Sequence, residues 1–569
     1  MTYITVVPAL RTPFGVDAFD YRVPDGADVR VGDLLRVPFR KREIPALVTG
    51  CSRESAFADR TVEIRQPTPL VRFPTGLASL LERSGARAFV SRPTVLHSWL
   101  RTVPKRLQPI TVEMHPSQSS LLTDEAEWVV DRTERLVHRV RGAKGRILIL
   151  CPWRSRAERL AATLSCPVLH ADLADGAAWR AWTGFLASSD GVLVATRIGA
   201  WLSASAGMVI IEEPENDDFK SDELAPRLDA RWVVDAARSS NPSLQVVRIG
   251  TTPPLGSDGL APDIGVKVAY APFAGRATSD VEGLSIQSVM AIDEAVEAQR
   301  PVTVIHPIHG DRSRIACADC SWIATCASCG FGLSRVGGRS RCNRCGTLGD
   351  VALACPSCNS TNLVKGRVGR DSLAGIVLKR FGEAVRVVDL PTWHSETVER
   401  GALVVLTDLG LIGGVAEDVR RRERLVIAWR RLTADIADAD ASIIVQGDDE
   451  LLLAAQNWCT KEGVAAVWRD EMSERATFSY PPARTLVKVL VDGPPDAAST
   501  LVDDLTMALG EAWTVRGPAP IAFRPSSRTP RSVIHAIPPK DLKETAIHAA
   551  LEPFARRAII DLDPIAFFV

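Results

Sequence analysis

Eight of the twelve cysteines fall between Cys317 and Cys358, arranged as four Cys-x-x-Cys hooks. The hooks are Cys317/Cys320, Cys326/Cys329, Cys342/Cys345 and Cys355/Cys358. Two intervening residues let both sulfurs of one hook reach a single tetrahedral ion at ~2.3 Å, and two hooks close a structural zinc site. Eight thiolates therefore predict two Zn²⁺ ions per chain with no open position for chemistry. Iron–sulfur ligation and disulfides are the alternatives. Disulfides are disfavoured in a reducing cytosol, and iron–sulfur spacings rarely run as four equal hooks. Nested pairing puts Cys317, Cys320, Cys355 and Cys358 on one ion, and Cys326, Cys329, Cys342 and Cys345 on the other. Sequential pairing stays open, although only five residues join the first two hooks, a short span for a four-ligand wrap. The remaining Cys51, Cys151, Cys166 and Cys459 are scattered and read as buried, inert thiols.

The cysteine module is a small insertion in a long chain. At 569 residues, about four domains are expected at ~150 residues each. No run of 18 uncharged apolar residues is present, so no membrane span and no membrane partner are expected. The first 31 residues lack a basic start with an apolar stretch, so a secretory signal is not expected and a cytoplasmic location is. Basic and acidic residues balance at 68 each, but unevenly. Residues 1–110 carry +7, 111–310 carry −7, 311–370 carry +6 and the remainder −6. Cancellation of this kind is compatible with basic faces on particular domains, where DNA affinity would reside.

Short apolar runs at Ile4–Val7, Leu34–Val37 and Ala46–Thr49, separated by turn signals such as Pro24-Asp25-Gly26, make residues 1–75 β-rich. Residues 76–120 read as a connection. Residues 121–257 alternate helices with apolar strands: helix 124–141, strand 146–150, helix 154–164, then strands at 168–170, 191–195, 208–211 and 245–249. A second such round spans 258–483, with the cysteine insertion at 311–366 inside it. Alternation of this kind predicts doubly wound parallel sheets. Residues 484–569 read as a small α+β domain. The fold class is multidomain α/β.

Several stretches resemble the bacterial primosomal replication-restart family PriA, also called primosomal protein N′. Phe19-Asp20-Tyr21-Arg22-Val23-Pro24-Asp25-Gly26, Gly32 and Val37-Pro38-Phe39 are similar to its N-terminal signatures. The four hooks match in order and approximate spacing. Glu474-Arg475 with Tyr480-Pro481-Pro482 and Gly517-Pro518-Ala519-Pro520 are similar to later family motifs. The resemblance implies a 3′-DNA-end-binding domain, two RecA-like helicase lobes, a two-zinc insertion in the second lobe and a small C-terminal domain. It implies branched forks, 3′ ends and single-stranded DNA as ligands. Primosome proteins and single-stranded-DNA-binding protein are the implied partners. In the implied 3′-end pocket Phe19 stacks on the terminal base, Asp20 accepts from the 3′-hydroxyl and Arg60 supplies the basic group. Arg40 stands at the family's glycine position.

The motor elements depart from the family. Gly-Lys, the core of a Gly-x4-Gly-Lys-Ser/Thr phosphate loop, occurs nowhere. The loop position reads Met114–Ser119, the family's acidic box reads Ile211-Glu212-Glu213-Pro214-Glu215, and Thr251-Thr252-Pro253 stands for the coupling motif. No arginine-finger element follows the strand at 402–406. Gly142, Lys144 and Gly145 follow a helix where a phosphate cradle would open one. The lobes are therefore read as degenerate: no catalytic residue, no nucleotide-binding residue, and no ATP or Mg²⁺ is expected. Two other readings remain, an ATP-dependent 3′→5′ helicase with an unconventional site and a zinc-stabilised protein-interaction scaffold.

Overall fold

The computed structural model describes residues 2–100, 125–221, 225–272, 279, 281–307, 315–317, 319–320, 322, 324–326, 332–336, 338–342, 347–365, 370–413, 418–520 and 531–565. The chain divides into two compact units, residues 1–250 with 541–565, and 251–540 with 566–569.

The first unit opens with a six-stranded sheet built from β1 (Thr2–Pro8), β2 (Phe19–Val23), β3 (Asp33–Phe39), β4 (Arg42–Ser52), β5 (Val62–Glu63) and β6 (Val71–Arg72). Their order across the sheet is β5-β2-β1-β4-β3-β6. Alternating burial follows from alternating side chains: Ile4, Val6, Tyr21, Val23, Leu35, Val37, Ala46 and Val48 form one core cluster. Cys51, near the exposed end of β4, is solvent-exposed instead of buried as expected.

Two helices follow, α1 (Gly76–Ala88) and α2 (Arg92–Leu100), where the sequence reads as a connection. Leu77, Leu80, Leu81, Val95, Leu96 and Leu100 share one continuous core with Val7, Leu34 and Leu47 of the first sheet. The same core includes Leu148, Leu193 and Trp182 of the following α/β segment. Pro93 lies in the first turn of α2, where a missing N–H costs nothing. Residues 101–120 of the expected connection lie outside the described residues.

The second sheet of this unit contains β7 (Glu125–Trp128), β8 (Ile147–Leu150), β9 (Val168–Leu169), β10 (Val192–Ala195), β11 (Met208–Glu212) and β12 (Gln245–Gly250). Their order is β7-β12-β11-β8-β10-β9, with every described pairing parallel. Helices α3 (Arg132–Gly142), α4 (Arg154–Leu164), α5 (Asp175–Ala187) and α6 (Ala230–Ala237) connect the strands. The expected helix 124–141 is thus a strand followed by a helix. Arg135 and Arg139 of α3 pair with Glu127 of β7, which lets an acidic strand sit at the sheet edge. Asp131 then caps α3, accepting from the Glu134 N–H at 2.8 Å.

The second unit holds a five-stranded parallel sheet. Its strands are β13 (Lys267–Pro272), β14 (Val302–Ile305), β20 (Val385–Val388), β21 (Leu403–Leu406) and β22 (Ser442–Gly447), ordered β13-β22-β21-β14-β20. Its helices are α7 (Ile286–Glu297), α8 (Arg370–Phe381), α9 (Leu390–Ser395), α10 (Arg421–Asp438), α11 (Asp449–Trp458) and α12 (Lys461–Phe478). Between β14 and α8 lie β15 (Ile315–Cys317), β16 (Leu333–Val336), β17 (Arg339–Cys342), β18 (Leu348–Asp350) and β19 (Leu363–Lys365). The strands β23 (Val487–Asp492), β24 (Thr514–Pro520) and β25 (Arg531–Ile537) pair antiparallel beside α13 (Pro495–Leu509). The helix α14 (Glu544–Leu551) and strand β26 (Ile559–Leu562) close the described chain, and the sheet order is β24-β25-β23-β26. Lys220, buried, reaches Asp561 at 2.7 Å and donates to the Leu562 and Asp563 carbonyls at 2.6 Å.

Candidate DNA-end site, metal centre and carboxylate pair

β2 carries both Phe19 and Asp20, half-buried at one end of a strand opposite β1. The Phe19 ring meets Phe39 edge-on, centroids 5.6 Å apart at 78°. Phe39 ends β3, and Arg40-Lys41 is the two-residue turn into β4. Arg40 adopts φ 55°, the left-handed conformation that favours glycine. Its guanidinium carbon lies 5.8 Å from the Phe39 centroid. Tyr21 ties the same turn to β2 by donating to the Pro38 carbonyl at 2.7 Å, and burial raises its phenol pKa.

Asp20 is held by two hydroxyls. Thr5 Oγ1 donates to Oδ1 at 2.8 Å and Ser55 Oγ donates to Oδ2 at 2.6 Å. A carboxylate accepts about four hydrogen bonds, so Asp20 retains acceptor capacity after both. Arg60 is exposed in a short turn, Ala58–Arg60, that precedes β5, the neighbour of β2. Phe19, Phe39 and Arg40 form one contact chain, with Asp20 next to Phe19 on β2. The Ser55 link between β2 and the 53–60 segment has no local sequence signal.

Elsewhere in this unit a cleft of about 480 Å³ is lined by Arg11, Trp99, Trp153, Arg154, His170 and Arg197 among others. Aromatic faces interleaved with cations are what a sequence-tolerant single-strand site uses. Asp218 and Asp172 also line it, and they engage Trp153 and Arg154.

The outer cysteine hooks converge. The sulfurs of Cys317, Cys320, Cys355 and Cys358 all lie within 4.8 Å of one another. Cys317 to Cys358 is 3.6 Å and Cys320 to Cys355 is 3.5 Å. Four sulfurs on a tetrahedral ion at ~2.3 Å stand about 3.8 Å apart, so the group could hold one metal ion. β15 pairs antiparallel with β19 beneath it. The turn of each hook is set by the backbone: Cys317 N–H donates to Trp322 O at 2.8 Å, and Cys355 N–H to Ser360 O at 2.7 Å. Cys342 of the inner hooks repeats the pattern, donating to Thr347 O at 2.9 Å. Cys326 and Cys342 are buried at the two flanks of the β16–β17 hairpin, while Cys329 and Cys345 lie outside the described residues.

At the end of β11, Glu212 is fully buried. Burial works against its charge, yet the Arg156 guanidinium of α4 holds its carboxyl below the usual range. The adjacent Cys151 thiol is pushed well up, first by burial and then by Glu212. Glu213 pairs with Arg132 at 3.3 Å, and Arg156 Nη2 donates to Thr133 Oγ1 at 2.9 Å. The first turn of α3 is therefore tied to the carboxylate pair. A parallel-strand-to-helix turn is the kind of place where backbone N–H groups can cradle a phosphate. The first turn of α3 is reached through Val129-Val130-Asp131, without glycine, and the Asp131 carboxylate takes the Glu134 N–H. The expected loop position, Met114–Ser119, lies outside the described residues. Gly142 ends α3, and Gly145 N–H donates to Asp190 at 2.8 Å.

Of the Glu474-Arg475 pair, Glu474 is exposed and Arg475 is structural. Arg475 is buried, pairs with Glu471 at 2.8 Å and Glu423 at 3.0 Å, and donates to the Pro481 carbonyl at 2.7 Å.

Residues 9–100 match the family model of the PriA 3′DNA-binding domain (3′BD). The match supports a PriA-like protein. It begins just after β1 and spans β2 through α1 and α2. It supports DNA binding and a connection with replication restart. No helix among the described residues is long and apolar enough to cross a membrane.

Proposed function

We propose that this chain is a DNA-binding replication-restart factor that recognises stalled or abandoned forks, promotes primosome assembly and reloads the replicative helicase without unwinding DNA itself. The observation that carries the reading is the PriA 3′DNA-binding match over residues 9–100, with Phe19 and Asp20 at one end of β2 within it. In this reading Phe19 stacks on the terminal base, Asp20 accepts from the 3′-hydroxyl, and Arg40 and Arg60 meet the phosphates. Primosome proteins and single-stranded-DNA-binding protein are its partners.

The two parallel sheets are taken as degenerate RecA-like lobes. Phosphoryl transfer rests on a backbone cradle, a lysine, carboxylate-held Mg²⁺ and an arginine at the developing charge. Here the candidate carboxylates are neutralised by Arg156 and Arg132, and the strand-to-helix turn presents Asp131 where phosphate oxygens would need N–H groups. The cysteine module is taken to hold two Zn²⁺ ions, one on Cys317, Cys320, Cys355 and Cys358, the other on Cys326, Cys329, Cys342 and Cys345. Bound zinc supplies folding energy to the module.

The test is binding of a labelled fork with and without ATP, with phosphate release followed in the same samples. Fork binding unaffected by ATP, with no DNA-stimulated hydrolysis, is expected. Hydrolysis that disappears in Lys144→Ala would overturn the inactive-motor reading. Absence of fork binding would favour the protein-only scaffold.

A further inference from the structure

Phe57 is 62% exposed, an unusual setting for a ring that burial would stabilise. Its backbone is not free. Phe57 N–H donates to Ser55 Oγ at 3.0 Å, and the same hydroxyl donates to Asp20 at 2.6 Å. One serine thus fastens the Phe57 turn to the carboxylate assigned to the DNA end. Arg60 N–H donates to the Phe57 carbonyl at 2.8 Å, closing a turn that brings the two Cα atoms within about 7 Å. An exposed aromatic and an exposed cation therefore share one short, hydrogen-bonded turn beside β2. That pair is what single-stranded DNA asks for, a face for a base and a charge for the adjoining phosphate.

We propose that Phe57 is a second base-stacking residue of the DNA-end site, taking a base adjacent to the 3′-terminal nucleotide while Arg60 holds the intervening phosphate. The proposal rests on the reading of Phe19 and Asp20 as the 3′-end pocket and extends it by one nucleotide. Phe19 cannot serve both bases, since its ring is half-buried and engaged edge-on by Phe39. Ser55 is a positioning residue: it couples the carboxylate to the turn that carries the second ring.

The experiment uses the full chain and a tailed duplex with 2-aminopurine at either the terminal or the penultimate 3′ position. Phe57→Ala is expected to weaken binding about five- to tenfold and to abolish the fluorescence change at the penultimate position. It should keep the change at the terminal position and the preference for 3′-hydroxyl over 3′-phosphate. Phe57→Trp should restore binding and the penultimate signal. Ser55→Ala, which frees the turn, should reduce the penultimate signal with Phe57 intact. Binding of Phe57→Ala within twofold of the unmodified protein, with both signals unchanged, overturns the proposal. If the unmodified protein binds both end chemistries equally while Phe57→Ala still abolishes the penultimate signal, the 3′-hydroxyl reading fails and Phe57 stacking stands.

Discussion

Arg156 Nε lies 2.8 Å from Glu212 Oε1 and 3.1 Å from Oε2, an ion pair at the end of β11 with the carboxylate fully buried. Removing one partner of a buried pair strands the other charge, at a cost of about 3–5 kcal/mol. Glu212→Gln should therefore lower the thermal midpoint sharply, and under the proposed inactive-motor reading no ATP turnover is expected from either protein. An equal loss of turnover in an active wild-type protein would contradict the structural role. The folded carboxyl sits below the unfolded value of ~4.3. Its contribution is thus complete above that pH and is lost as pH falls through the lower, folded value. Urea titrations across that range should show a shallower pH dependence in Glu212→Gln.

Cys317 and Cys355 are buried ligand candidates on separate hooks of the outer group. Elemental analysis of the intact protein should return two zinc ions per chain, and Cys317→Ser should return one. Chelation should unfold the insertion, because binding energy at such sites is folding energy. Iron in place of zinc, or loss of both ions in Cys317→Ser, would contradict independent nested sites.

Asp20 accepts from Thr5 and Ser55 and retains acceptor capacity. Phe19→Ala and Asp20→Ala should each remove the preference for a free 3′-hydroxyl over a 3′-phosphate, measured by competition on fork DNA. Fork affinity itself should fall about tenfold or more between ~50 and ~200 mM salt, as phosphate contacts release counterions. A flat salt profile would remove the DNA-binding reading.

Arg40 sits at φ 55°, a conformation that costs an ordinary L-residue about 1–2 kcal/mol. Arg40→Gly should leave thermal stability unchanged or slightly raised. Arg40→Val should lower it by about 1–2 kcal/mol, since a β-branched residue resists that backbone. If both variants weaken fork binding equally, the guanidinium, not the turn geometry, is what DNA requires.

Much of the molecule was legible as local pattern. The apolar runs at 147–150, 192–195, 208–212 and 245–250 are strands of one parallel sheet, because strands covered on both faces need continuous apolar side chains. Helix α4 spans Arg154–Leu164, the bounds its pattern predicts. The four hooks announced a thiolate module, and the sulfurs of Cys317, Cys320, Cys355 and Cys358 lie within 4.8 Å of one another. Such features depend on spacing within a few residues.

What tertiary structure decided depends on partners distant in sequence. Glu125-Ala126-Glu127-Trp128 became a strand because Arg135 and Arg139 neutralise its acids, a compensation that local propensity does not contain. Helices α1 and α2 read as a linker until their leucines met the first sheet and the α/β core. Ser55 reached Asp20 across 35 positions, making the Phe57 turn part of the candidate site. The sequence alone determined the apolar strands of the parallel sheets, helices such as α4 and the cysteine hooks, since those follow from periodicity and ligand chemistry. Only the fold decided which charges meet, because ion pairs and hydrogen bonds such as Arg156–Glu212 and Ser55–Asp20 are set by distance in space, which short sequence windows do not encode.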